Sequence, residues 1–187
     1  EVTCNLYFDD PFMDNLFYHC EKNKMPLLFH IGPQIGNCYG LVDDLGLPRL
    51  EKMLAKYPDL IVIGHSQPFW AEISADVTNE NRNSYPKGKV KPGRLLELFR
   101  KYPNLYADLS PEAGSGFNAI ARDPEFGYQF LEEFSDRLLY GSDICSPHDR
   151  LALAQWLDDA VANKKISQEA YEKICRTNAL RILEGGR

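Results

Sequence analysis

One pattern recurs in this chain at a fixed offset, and it constrains the fold more than any other feature. RLEKMLAKYPDLIVIGHS (49–66) aligns with RLLELFRKYPNLYADLS (94–110), 45 residues further on. In the first copy Leu50, Met53, Leu54 and Tyr57 recur at i, i+3, i+4 and i+7, the apolar stripe of a helix. Lys-Tyr-Pro then ends the helix, because proline disfavours helical geometry in its predecessor and cannot continue the ladder. A short apolar run follows in both copies. FMDNLFYHCEKNKMPLLFHIG (12–32) and GYQFLEEFSDRLLYGSD (127–143) repeat the order less closely. Four strands are therefore predicted, over 26–31, 60–65, 105–109 and 138–142, and VTCNLYF (2–8) reads as a fifth, cut short. Two helices are predicted to close the chain, near 147–163 and 167–183. Pro147 suits a first helical turn, Ser167 an N-cap, and Glu169 the acidic position behind it.

Strands alternating with helices imply parallel pairing with crossover helices outside the sheet. The strands are nearly continuous apolar runs, as expected when both faces are buried. Helix-to-strand connections are tight (KYPD, KYPN, FSDR). Strand-to-helix connections are long, GPQIGNCYGLVDDLG after His30 and IGHS followed by a stretch reaching Gly93 after His65. Long loops in compact domains carry function or are disordered, and these lie at the C-terminal edge of a parallel sheet, where α/β proteins place their sites. Lys87, Lys89, Lys91 and Arg94 in the second loop read as a solvated face rather than an anion clamp.

A chain of 187 residues can bury a sizeable core. Its net charge of -6 argues against a general nucleic-acid binder. No apolar run approaches membrane-spanning length, and the N-terminus does not resemble a signal peptide. Cys4, Cys20, Cys38, Cys145 and Cys175 are odd in number and include no CxxC pair, which points to reduced thiols and a cytoplasmic location.

Three predicted strands end in a group able to hold a metal or move a proton: His30 in LLFHIG, His65 in IVIGHS and Asp143 in LLYGSD. LYADLS adds Asp108 and Ser110. A neutral imidazole offers a nitrogen lone pair and a carboxylate offers charge and oxygen to a divalent ion, and such an ion can lower the pKa of water from ~15.7 to ~7. Each residue alone has a structural explanation, a core histidine or a helix-capping aspartate. Their recurrence at equivalent points of successive units makes a shared site the better expectation. Asp108 reads as a structural hydrogen-bonding group, His19 as a helix-surface residue and His148 as part of a first helical turn. Phe69 and Trp70 either stack on a planar substrate or pack beneath the long loop. Cys145 lies near the site without a basic partner that would make it a nucleophile.

MPLLFHIG, IGHSQPFWAEI, NLYADLS, RLLYGSDICSP and TNALRIL together resemble the second half of the amidohydrolase superfamily, over almost the whole chain. The branch most similar is the amidohydrolase-2 group, which includes aminocarboxymuconate-semialdehyde decarboxylase and resorcylate decarboxylases. The resemblance implies one domain over 1–187, the C-terminal part of a (β/α)₈ TIM barrel with four to five parallel strands. It implies that His30 and Asp143 bind a divalent metal, zinc first and manganese or iron as alternatives. It further implies that Asp143 shuttles a proton and that His65 is catalytic or a ligand. Hydrolysis of a C–N or C–O bond in a small carboxylated or cyclic substrate is the implied activity, with non-oxidative decarboxylation as the alternative. The H-x-H pair of the family's first strand is missing from these 187 residues. The chain is thus expected to be part of a longer barrel, to pair with a second copy that covers the open half-barrel, or to be a metal-free binding module. A complete flavodoxin-like sheet fits less well, because no Gly-rich phosphate loop follows the first strand.

Overall fold

The computed structural model describes residues 5–36, 39–110, 115–149 and 152–185. Helix α1 (Asp14–Lys22) leads to strand β1 (Leu27–Gly32) and a two-residue strand β2 (Leu41–Val42). Helix α2 (Pro48–Lys56), strand β3 (Val62–His65), the short helix α3 (Gln67–Ala71), helix α4 (Arg94–Lys101) and strand β4 (Leu105–Asp108) follow. Helices α5 (Ser115–Ala121) and α6 (Pro124–Glu133) precede strand β5 (Leu138–Leu139), and α7 (Ala152–Ala162), α8 (Gln168–Glu172) and α9 (Asn178–Leu183) end the chain. The five strands form one sheet in the order β2-β1-β3-β4-β5. Every pairing is parallel.

The repeat has a direct physical counterpart. Leu50, Met53, Leu54 and Tyr57 are all buried. In both copies the tyrosine of Lys-Tyr-Pro is the C-cap and leaves the helical region, Tyr57 at φ -121° and ψ 71° and Tyr102 extended at φ -117° and ψ 102°, as the following proline disfavours helical geometry. Asn104 then ties the second copy to the first, its amide donating to the carbonyls of Leu54, Tyr57 and Leu60 at 2.9–3.2 Å. Strand side chains alternate between two layers. Val62, Leu105, Ala107 and Leu138 join the large core beneath α1 to α7. Ile61, Ile63, Tyr106 and Leu139 form a smaller cluster on the opposite face, covered by Ile182 of α9. Leu28, on that same face in β1, is 55% exposed.

Four sequence expectations are corrected in detail. In place of a fifth strand over 2–8, the described residues 5–8 meet the sheet through an isolated parallel bridge between Tyr7 and Val42. Residues 2–4 lie outside the described residues. β2 intervenes, too short to leave a period. The strand expected over 138–142 ends at Leu139, because Tyr140 N–H donates to the Ile174 carbonyl at 2.9 Å instead of extending the ladder. Pro147 sits in a turn, closed by the Asp149 carboxylate accepting from Cys145 N and Ser146 N at 2.9 Å, and the helix is described from Ala152. The last helix is interrupted by a π-helical turn at Lys173–Thr177.

Ser167 caps α8 as expected, its Oγ accepting from Ala170 N at 3.0 Å. Ser167→Ala is expected to cost about 1 kcal/mol, a fall of roughly 2–4 °C in thermal midpoint measured by calorimetry. Among the described residues no helix is long and apolar enough to cross a membrane. Cys20, Cys145 and Cys175 are free thiols.

Candidate active site

β1 and β3 pair in a register that sets His30 directly beside His65. Neighbouring strands lie about 4.8 Å apart, so the two imidazoles emerge side by side on one face. Their ring centroids are 5.5 Å apart. The period of two puts Asp108 of β4 on the same face, two residues beyond Tyr106. His65 Nδ1 and Asp108 Oδ1 are 2.9 Å apart. Ser110 Oγ donates to the other carboxylate oxygen, Oδ2, at 2.5 Å. An ionised carboxylate only accepts, so Asp108 places the ring proton on Nδ1 and turns the Nε2 lone pair outward. Asp143 Oδ2 lies 3.9 Å from Nε2. The two partners of His65 differ in setting: Asp108 is buried, whereas the Asp143 side chain is 45% exposed.

The backbone around these groups is held in costly conformations. Ser66, directly after His65, has φ +101° and ψ 166°, a region open essentially to glycine alone. Its hydroxyl bridges to β1, donating to the Ile31 carbonyl at 2.7 Å and accepting from Ile31 N at 3.1 Å. That bridge fixes the direction in which the chain leaves His65. Asp143 is also left-handed, at φ +48°. Gly40 (φ +78°) crosses the backbone of His30 so closely that a Cβ there would lie 1.7 Å from the His30 carbonyl oxygen. Gly40→Ala is therefore expected to displace His30 and to destabilise the protein by about 2–3 kcal/mol, read by urea denaturation.

An open cleft of about 470 Å³ collects these residues: His30, His65 and Asp143 line it with Tyr39, Tyr85, Gln67, Ser115 and Cys145. Gln67 Nε2 donates to the Tyr85 hydroxyl at 2.7 Å. Phe69 and Trp70 take no part in the cleft wall; both are fully buried, and Trp70 Nε1 donates to the Asp108 carbonyl at 3.0 Å. The aromatic pair after His65 thus steadies β4 from below. His19 and His148 are exposed and lie outside the cleft lining. Lys89 pairs with the buried Asp123 at 2.9 Å and Arg94 with the exposed Glu97 at 2.7 Å, so these members of the basic stretch meet carboxylates of the chain itself.

The donors fit a divalent ion in kind, two imidazoles and a carboxylate on one cleft. They fall short in number and convergence. His65 already commits Nδ1 to Asp108, and among the described residues no three His, Cys, Asp or Glu side chains form a metal-holding group. Catalytic zinc ordinarily takes three protein ligands.

The amidohydrolase family profile Amidohydro_2 matches residues 4–185. This chain belongs to the amidohydrolase family. An uncharacterised TIM-barrel protein from Bordetella bronchiseptica is similar in structure, with a TM-score of 0.61 and 21% identity, over 96% of this chain and 53% of that one. A 2,6-dihydroxybenzoate decarboxylase complexed with 2,6-dihydroxybenzoate is similar at TM-score 0.51 and 18% identity, over 96% of this chain and 57% of that one. A dihydroxybenzoic acid decarboxylase from a Polaromonas species, solved with bound manganese and the inhibitor 2-nitroresorcinol, is similar at TM-score 0.50 and 18% identity, over 96% and 55%. No curated protein matches the sequence. The chain spans just over half the length of these solved structures, and its parallel sheet corresponds to part of a TIM barrel. In this amidohydrolase, sequence patterning pointed to His30, His65 and Asp143. It offered Asp108 and Ser110 as well, and passed over Ser66, whose signal is only its position one residue beyond a strand-end His. It also passed over Tyr39 and Tyr85, which lie in loops without period, and Gln67, which opens the five-residue helix α3.

Proposed function

We propose that this amidohydrolase acts as a metal-dependent hydrolase on a C–N or C–O bond of a small carboxylated or cyclic substrate. The observation that carries the proposal is the His65–Asp108 pair, 2.9 Å between Nδ1 and Oδ1, presented to a cleft together with Asp143. In this role His65 accepts or donates a proton at Nε2, and Asp108 holds the ring and balances the imidazolium. Asp143, more exposed and 3.9 Å from Nε2, exchanges protons between the cleft and solvent. His30 and Asp143 are the residues that would hold a divalent ion, zinc, manganese or iron; they are one ligand fewer than catalytic zinc ordinarily takes, and the ion would supply water of lowered pKa. Tyr39 and Tyr85 flank the cleft and suit a flat, partly polar substrate.

Non-oxidative decarboxylation is a second reading. It is favoured by the same outward Nε2, which first accepts a proton from the substrate or solvent, with Asp108 balancing the imidazolium, and then delivers it to the carbon that loses CO₂; it accords with the names of two of the similar structures. The test is a screen of lactones, amides and aromatic carboxylates with the protein loaded in turn with Zn²⁺, Mn²⁺ and Fe²⁺. Turnover of one class, lost on chelation, is the expected result. Absence of turnover in every class, with under about a tenth of an equivalent of bound metal and no thermal stabilisation by it, would identify a binding module instead.

A further inference from the structure

From residue 75 to residue 89 every described position is exposed or half-buried except one, Arg82. An excursion of this kind has almost no apolar surface with which to dock. Its single buried side chain is a guanidinium, 2% exposed. Arg82 Nη1 donates to the Asp43 carbonyl at 3.1 Å and Nη2 to the Asp44 carbonyl at 3.4 Å. Those carbonyls belong to the turn between β2 and α2; Tyr39 stands on the other side of β2, two residues before it. Three residues beyond Arg82 stands Tyr85, which lines the cleft.

We infer that Arg82 is a positioning residue, a latch that locks the loop between α3 and α4 onto the turn between β2 and α2 and so fixes the Tyr85–Gln67 wall of the cleft. The latch has built surroundings. Glu72, also buried, accepts from Gly46 N at 2.7 Å, and Arg94 Nε donates to the Gly46 carbonyl at 3.3 Å. Residues 43–46 are thereby gripped by three charged side chains from one segment. Asp43, Asp44 and Glu72 supply the negative charge that lets a guanidinium stay buried, and burial pushes the Asp43 and Glu72 carboxyls upward in turn. Within 76–82 the backbone closes on itself, Thr78 N–H donating to Asn81 Oδ1 at 2.8 Å and Arg82 N–H to the Thr78 carbonyl at 2.9 Å. That turn aims Arg82 inward. A guanidinium suits the task because its fork spans two adjacent carbonyls, which an ammonium group does not.

The catalytic meaning of the wall rests on the proposed function, whereas the latch is tested without turnover, so the two can fail separately. Hydrogen exchange by mass spectrometry on the full chain compares wild type with Arg82→Met and Arg82→Lys. Arg82→Met is expected to speed exchange across 76–89 at least tenfold while β3 and β4 stay within twofold, and Arg82→Lys to give an intermediate increase. Fluorotyrosine labelling supplies the positional readout, with the Tyr85 resonance assigned through Tyr85→Phe. That resonance is expected to move toward the free-tyrosine position in Arg82→Met and to hold still in Leu157→Ala, a core variant remote from the loop. Unchanged exchange in 76–89, an increase spread equally over the strands, or an unmoved Tyr85 resonance would overturn the latch. If Arg82→Met does not fold, Arg82→Lys decides by the same criteria, with wild-type exchange and an unmoved Tyr85 resonance counting against.

Discussion

Asp108→Asn is expected to lower turnover by about 10²–10³-fold with little change in thermal midpoint. The carboxylate accepts from His65 Nδ1 at 2.9 Å and from Ser110 Oγ at 2.5 Å, and it touches the cleft only through the imidazole. An asparagine can turn its NH₂ toward Nδ1. The ring proton then moves to Nε2, and the outward nitrogen becomes a donor where the chemistry needs an acceptor. His65→Asn removes the nitrogen itself and is expected to cost about 10²–10⁴-fold. Because the two residues work as one unit, the double variant should be hardly worse than His65→Asn alone. The checks are kcat on whichever substrate class the screen identifies, together with ¹⁵N shifts of the His65 ring, which report the tautomer without turnover. Asp108→Asn retaining a third or more of wild-type kcat, with Nδ1 still protonated, would remove Asp108 from the mechanism.

The largest effect on stability is expected from Asp43→Ala. Helix α2 begins behind Leu47, which sits at φ +52° and provides no side-chain cap. Asp43 supplies the cap from four residues earlier. Its Oδ1 accepts from Asp44 N at 2.8 Å and Arg49 N at 3.1 Å, and its Oδ2 from Leu50 N at 2.7 Å. Alanine leaves those donors unsatisfied in a buried setting and removes a carboxylate from beside Arg82. A loss of about 2–4 kcal/mol follows, or roughly 5–12 °C in thermal midpoint. The loss should depend on pH. Burial raises the Asp43 carboxyl from 3.8 to about 6, outweighing the backbone donors that pull it down. A folded-state pKa above the unfolded one means that ionisation is disfavoured in the fold. The contribution of Asp43 is therefore greatest below pH 3.8 and declines as pH rises through about 6. Urea denaturation of wild type and Asp43→Ala at pH 4 and pH 8 should show the larger difference at pH 4. An equal or reversed difference would mean that Asp43 is not buried as described.

The repeat of helix, Lys-Tyr-Pro and strand was legible because its causes are local. An apolar stripe, a proline stop and a continuous apolar run each act within a few residues of their own position. Parallel order, and the pocket edge at which His30 and His65 emerge, follow from that grammar. Asp108 was legible as a hydrogen-bonding group, but its partner was not, since 43 residues separate it from His65 and only the lateral pairing of β3 with β4 brings them together. β2 and the early end of β5 were hidden for a related reason. Each is set by a backbone group on another segment, Leu6 and Phe8 for Val42 and Ile174 for Tyr140.

The sequence by itself determined the four repeats of helix and strand that give β1, β3, β4 and β5, that these pair in parallel, and which strand-end residues carry imidazole or carboxylate. Tertiary structure alone decided that His65 leans on Asp108, that Phe69 and Trp70 go into the core, and that Arg82 rather than an apolar residue seats the long loop. The physical reason is range: helix stripes and proline stops are written in neighbouring residues, whereas the tautomer of a histidine and the seat of a buried cation depend on which distant carboxylates and carbonyls the folded sheet carries to within about 3 Å.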